Sequence, residues 1–288
     1  MSTRNRIPSP LEPYLRLPPE ASLILLTGTL GCIPVWLTAR FIASVLAPRQ
    51  DVASSDEKGS ATAVVLVSWM QDLAFWKKEL RRMAGLDITK LVEQRRFSFL
   101  DCLSLHGISV SSALEQLEKT ICDVIEQLKN SALGNVVLVL EYPDTLLATN
   151  STTAHELSIL LLRLRSRVRS TVLTCAADLP LLSATQGSPR NSHAFSPLET
   201  VTAAFLTQQA SLARFVMSVR ELDTGAAKDI SGVLRVTRGG AAYDVDDEEQ
   251  DSSSEVASEV DVREMEALYL VQRDGNVKVF ERGTESGL

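Results

Sequence analysis

Residues 28–35, Gly28-Thr29-Leu30-Gly31-Cys32-Ile33-Pro34-Val35, stand where a strand–loop–helix would carry phosphate chemistry. A phosphate loop reads G-x-x-x-x-G-K-[ST], and each fixed position has a physical job. Aligned on Gly28, the second glycine, the lysine and the hydroxyl fall on Ile33, Pro34 and Val35. Ile33 puts a branched side chain where backbone must approach phosphate closely. Pro34 removes both the ammonium and one backbone N–H of the anion nest. Val35 has no hydroxyl for magnesium. No other Gly-Lys pair occurs in the chain. The loop is a degenerate phosphate loop, and no cofactor is expected on Gly28, Gly31, Ile33, Pro34 and Val35.

Other chemistry is sparse. Glu141 ends an apolar run, where an ATPase would place a magnesium-binding or water-activating carboxylate; capping of a turn with Asp144 is the plainer reading, and Asp101 has the same standing. Arg163, Arg165, Arg167 and Arg169 form the densest basic group, and Arg81 and Arg82, with Lys77, Lys78, Arg95 and Arg96, form a second. Either group could neutralise RNA phosphates, meet an acidic partner surface, or simply be solvated. The histidines, His106, His155 and His193, have no metal-ligand spacing, so no metal site is expected. Cys32, Cys102, Cys122 and Cys175 form no C-x-x-C pair and lie in or beside apolar segments, as small hydrophobes of a reducing, intracellular compartment. Ser68, Ser104 and Ser192 lack a G-x-S-x-G context, and Trp36, Trp69 and Trp76 read as core or interface anchors. No catalytic residue is assigned.

The elements that must hold these groups can be read from periodicity. Residues 22–27 are a continuous apolar run, as a strand buried on both faces requires, and 35–46 have helical spacing behind Pro34. Residues 21–39 carry no charge, which is nearly a bilayer's thickness. Gly28, Gly31 and Pro34 in the middle, Arg40 just beyond, and the change of period at Val35 argue against a span. Further strands are expected at 63–69, 97–101, 136–140 and 171–176. Helices are expected at 71–83, at 88–93 behind Asp87 as a cap, from Ser111 and Ser112 through Leu128, and at 155–168. Strands alternating with helices predict an α/β fold with right-handed crossovers and a mostly parallel sheet covered on both faces. Residues 178–197 read as a Ser-, Pro- and Gly-rich loop. After it, strands at 213–222, 232–237, 266–272 and 277–281, the last two joined at Asp274-Gly275, predict an antiparallel extension.

Composition sets the outer limits. A chain of 288 residues with 45% apolar and 23% charged residues suits a single large globular domain, here 21–288, behind a proline-rich arm at 1–20. The arm's five prolines forbid a long helix, and its Ile7, Leu11, Tyr14, Leu15 and Leu17 predict packing on the body or on a neighbour. The net charge of −7 comes from one strip: residues 244–261 hold nine acids and no base, and without them 29 basic residues face 27 acidic ones. The body is therefore near neutral rather than a basic nucleic-acid binder. The strip reads as a disordered acidic loop; a plain solvated loop is the simpler reading, and phosphorylation of its serines is the alternative.

Several stretches together resemble a known family. Ile7 to Leu15, Ser22 to Gly31, Trp36-Leu37 and Arg40-Phe41 look like the start of the fungal sixth subunit of the Elongator complex. Val64 to Ser68, Phe75-Trp76-Lys77, Gly85-Leu86-Asp87, Phe97 to Asp101, Leu138 to Asp144 and Leu146-Leu147-Ala148 continue the likeness, over about residues 7–176. The resemblance implies a RecA-like P-loop-ATPase fold without a functional Walker A motif. It implies a non-catalytic, structural subunit that joins two paralogous RecA-like Elongator subunits in a hetero-hexameric ring beside the catalytic and scaffold subunits. That ring binds tRNA and supports wobble-uridine modification, in the cytoplasm and with the nucleus as a second location. The acidic strip departs from the family core. A divergent RecA-type ATPase using Glu141, and an unrelated soluble α/β adaptor, are the alternatives.

Overall fold

The apolar runs become the middle of one sheet. The computed structural model describes residues 7–15, 19–47, 62–103, 110–130, 134–182, 195–225, 227–242 and 263–281. The strands are β1 (Ser22–Gly28), β2 (Thr62–Ser68), β3 (Phe97–Asp101), β4 (Asn135–Glu141), β5 (Ser170–Ala176), β6 (Phe215–Arg220), β7 (Gly232–Arg238), β8 (Met265–Val271) and β9 (Val277–Glu281). They form a nine-stranded sheet in the order β3-β2-β4-β5-β1-β6-β7-β8-β9. Pairing is parallel from β3 to β6. It is antiparallel from β6 to β9.

The helices are α1 (Val35–Leu46), α2 (Leu73–Ala84), α3 (Ile88–Glu93), α4 (Val110–Leu128), α5 (Thr145–Ala148), α6 (Ala154–Arg165), α7 (Leu179–Leu182) and α8 (Pro197–Leu212). Alternate strand residues serve opposite cores. Ile24, Leu26, Val64, Leu66, Val137 and Val139 meet Leu37, Phe41, Trp76 and Leu80 of α1 and α2. Leu23, Leu25, Val65, Val67 and Leu138 meet Ile121, Leu157, Leu161 and Phe205 of α4, α6 and α8. Side chains on successive strand positions point to opposite faces, so an unbroken apolar run is what a doubly covered sheet demands. The arm joins the first core through Leu11, Tyr14 and Leu15, all buried, so it packs on the body. The Tyr14 hydroxyl donates to the Arg263 carbonyl, and its ring meets Phe215 edge-on at 6.1 Å.

Two differences from the expected elements bear on the site. α8 occupies 197–212, a stretch to which no helix was assigned. Its start signal is a capping box: the Ser196 hydroxyl accepts from Glu199 N–H, the Glu199 carboxylate accepts from Ser196 N–H, and Pro197 sits in the first turn. Its buried positions mix Ala203, Phe205 and Leu206 with Thr202 and Gln209, which blurs the apolar period. The second change is α7, a single turn inside the expected 178–197 loop. The acidic strip 244–261 and residues 183–194 lie outside the described residues, as do 49–61 of the polar stretch 49–62 for which the sequence suggests a solvated loop; Thr62 opens β2. Among the described residues no helix is long and apolar enough to cross a membrane; the uncharged 21–39 stretch is split between β1 and α1.

Candidate functional site

The loop between β1 and α1 is closed upon itself. Cys32 N–H donates to the Thr29 carbonyl at 2.8 Å, and Gly31 takes φ +89°, which glycine adopts without a Cβ penalty. A Cβ on Gly28 would stand 2.6 Å from Pro34 Cδ and 2.7 Å from the Cys32 carbonyl oxygen, so the chain turns tightly there. Pro34 is the N-cap of α1, and its carbonyl takes the N–H groups of Leu37 and Thr38, both at 2.9 Å. Cys32 Sγ donates to the Ser231 carbonyl at 3.3 Å, and Trp36 stacks on Tyr269 at 5.0 Å. The antiparallel extension thus holds the loop from behind.

The loop faces acids. Leu30 N–H donates to Asp178 Oδ1 at 2.7 Å, so a carboxylate of the chain already takes a backbone donor that a phosphate would need. On the other side a Cβ on Gly31 would stand 2.1 Å from Glu221 Oε1.

One strand, β5, separates β1 from β4, and this brings the end of β4 to the same place. Glu141 and Asp144, from that end, line a pocket of about 300 Å³ together with Gly28, Leu30, Ile33 and Asp178. Its remaining walls are mostly apolar, and no lysine or arginine among the described residues lines it. Glu141 is 1% exposed and accepts from the Ser68 hydroxyl; its other oxygen is buried, and no described residue closes a hydrogen bond of good geometry on it. Burial pushes its carboxyl up to about 7, against the Ser68 hydrogen bond and a weaker influence of the Trp76 indole. That indole N–H closes no hydrogen bond of good geometry, so Ser68 is the effective partner. Asp144 Oδ2 accepts from Ala176 N–H at 3.0 Å, while on the buried Oδ1 no described residue closes a hydrogen bond of good geometry, the Cys175 thiol exerting a weaker influence on the carboxyl. Burial raises the Asp144 carboxyl to about 6, and the Ala176 N–H opposes the rise. Between the two acids Tyr142 sits at φ +56°, a left-handed bend that costs a non-glycine residue roughly 1–2 kcal/mol.

The arginines are dispersed. Arg163 is exposed and pairs with Glu118 of α4 at 3.1 Å. Arg165 is half-buried, with Nε unpartnered and burial lowering its pKa. Arg167 is exposed, and Arg169 ties Glu20 at 3.0 Å. Arg82 is committed inside the chain: it grips Glu79 at 2.5 Å and donates to the Gln272 and Arg273 carbonyls of the β8–β9 turn, each at 3.4 Å. Arg81 is exposed. The structure therefore brings the loop, Glu141 and Asp144 together and keeps both arginine groups away from that pocket. Asp178, Glu221 and the α8 wall at Leu198 and Thr202 belong to the site but were not singled out from sequence. Only α8 had a readable signal, its capping box.

Neither a protein-family model nor a curated protein matches the chain by sequence. Among solved structures, the crystal structure of a KaiC-like protein from the hyperthermophilic archaeon Pyrococcus horikoshii OT3 superposes with a TM-score of 0.51 at 15% identity, over 91% of this chain and 90% of that one. The chain has a KaiC-like RecA fold: an α/β domain with a mostly parallel central sheet and antiparallel C-terminal strands. At that identity the likeness defines the fold and nothing finer.

Proposed function

We propose that this chain is a non-catalytic RecA-like subunit of a hetero-oligomeric ring, a fold retained for assembly after its phosphate-gripping groups were replaced. The observation that carries this reading is the Leu30 N–H held by Asp178 in a pocket lined by three carboxylates and, among the described residues, by no basic one. A phosphate oxygen about 4 Å from one ionised carboxylate would meet about 4 kcal/mol of repulsion at an effective dielectric of about 20. With no lysine at position 34 to offset it, triphosphate binding to the lone chain is disfavoured.

The finer reading rests on the sequence resemblance over residues 7–176. In it the chain is the sixth-subunit type of Elongator protein, joins two paralogous subunits in a hexameric ring, and contributes to tRNA binding for wobble-uridine modification. Exposed Arg81 and Arg167, with Arg163 if it leaves Glu118, are candidate phosphate contacts from the two arginine groups; Arg82 serves the fold. A second reading, a divergent ATPase, draws on Glu141 standing one strand from the loop.

Titration of the purified chain with a fluorescent ATP analogue and magnesium separates these. No saturable binding is expected, and saturable micromolar binding would favour the ATPase. Affinity purification of the tagged chain is expected to recover the two paralogous Elongator subunits; their absence would leave only an α/β adaptor.

A further inference from the structure

The sheet ends in two edge strands, and they are built differently. β9 carries an exposed lysine, Lys278, a charge of the kind that discourages pairing with another chain. β3 reads Phe97-Ser98-Phe99-Leu100-Asp101, with no proline, no lysine and a charge only at its last residue. Among the described residues β3 pairs with β2 alone. The Arg96 carbonyl accepts from Val64 N–H at 2.9 Å, and Cys102 N–H donates to the Ser68 carbonyl at 2.8 Å. Even-numbered residues thus turn their backbone groups toward β2, and Phe97, Phe99 and Asp101 turn theirs outward, where no described strand meets them. The two ends of β3 also complement each other. Arg95 precedes it, with Val92 of α3 49% exposed beside that end; Asp101 closes it, and Leu103, 44% exposed, follows.

We propose that the outer edge of β3 pairs with β3 of a second copy of this chain, joining the two sheets into one. A two-fold axis at the edge makes that pairing antiparallel, which sets the front end of each β3 against the back end of the other. Charge complementarity selects the register. With Ser98 facing Ser98 of the second copy, Phe97 exchanges backbone hydrogen bonds with Phe99 of the second copy, and Arg95 comes opposite its Asp101. The same pairing draws Leu103 of one copy toward Val92 of the other and takes both out of water. Aromatic and opposite-charge pairs across strands are the contacts that stabilise a ladder, and here each occurs twice by symmetry. This goes beyond the subunit reading and does not rest on it: β2 stands between this edge and β4, so the pocket at Glu141 stays open.

Sedimentation velocity on the full chain, from micromolar to submillimolar concentration, should show monomer passing to dimer. Ser98→Lys sets two ammonium groups against each other at the two-fold axis and should weaken the dimer by roughly tenfold or more, whereas Ser98→Thr, a better strand former, should keep it. Arg95→Asp and Asp101→Arg should each weaken self-association about tenfold, because each turns two attractions into two repulsions. Mixed in equal amounts, those two variant chains should regain a dimer, since each supplies the charge that the other needs. Recovery on mixing cannot come from a folding defect, and urea unfolding of each variant checks the fold directly.

A native chain that stays monomeric throughout would overturn the proposal. A dimer indifferent to Ser98→Lys would put the contact on another surface and overturn it as well. Charge variants that both self-associate like the native chain, or that fail to recover on mixing, would overturn the antiparallel register and the pairing built on it. None of these readouts involves nucleotide or a paralogous subunit, so their failure leaves the subunit reading to the ATP-analogue titration and the affinity purification.

Discussion

Replacing Glu141 by glutamine tests the electrostatics of the pocket in the isolated chain. The Glu141 carboxyl is 1% exposed, and burial moves it from an ordinary 4.5 to about 7. Between those values the folded chain keeps a proton that the unfolded chain has released, so stability falls as pH rises. The loss begins near pH 4.5, is complete just above pH 7, and amounts to about 3 kcal/mol at about 1.4 kcal/mol per tenfold change in proton affinity. Glutamine removes the titration but buries an amide, whose hydrogen-bonding cost does not depend on pH. The useful quantity is therefore a double difference. The stability of the variant minus that of the native chain, from urea unfolding, should rise by about 3 kcal/mol between pH 4.5 and pH 8. In melting temperature this is roughly 5 °C for a chain of this length. A difference that stays flat across that range, or that falls, would refute the claim that burial raises the Glu141 carboxyl well above its ordinary value.

Three further outcomes follow from local geometry. Ser196→Ala removes the α8 cap and should cost about 1 kcal/mol by urea unfolding. Gly275→Ala should destabilise well beyond Gly225→Ala: both glycines have φ +88°, but a Cβ at 275 meets the Arg82 carbonyl oxygen at 2.4 Å while one at 225 meets nothing within 4 Å. Equal losses in the two would mean that the β8–β9 turn does not press on α2. Leu30→Asp should leave the lone chain within about 0.5 kcal/mol of native stability, as exposed positions do, yet reduce co-purification of partner subunits.

Much of the fold was legible residue by residue. The run at 22–27, the helix at 35–46 behind Pro34, and the Asp87 cap of α3 follow from short-range rules. A strand buried on both faces must be apolar throughout, and a helix needs a start signal. α8 escaped because half of its buried face is polar or small, so its period carried little signal even though Ser196 and Glu199 announced its start. The arginine group at 163–169 was conspicuous along the chain and is spread out in space: Arg163 reaches α4, and Arg169 reaches Glu20.

By itself the chain's order of residues determined which groups are missing from residues 28–35, because no packing can supply a lysine or a hydroxyl that positions 34 and 35 do not encode. It also determined the alternation of strands and helices, since periodicity is a local property. Only the tertiary structure decided that Asp178 would close on Leu30 N–H, 148 residues away, and that Glu141 and Asp144 would lose their water beside the same loop. Those outcomes depend on β5 lying between β1 and β4. Hydrogen bonding and desolvation act through distance in space, and strand order sets that distance in a way that spacing along the chain does not reveal.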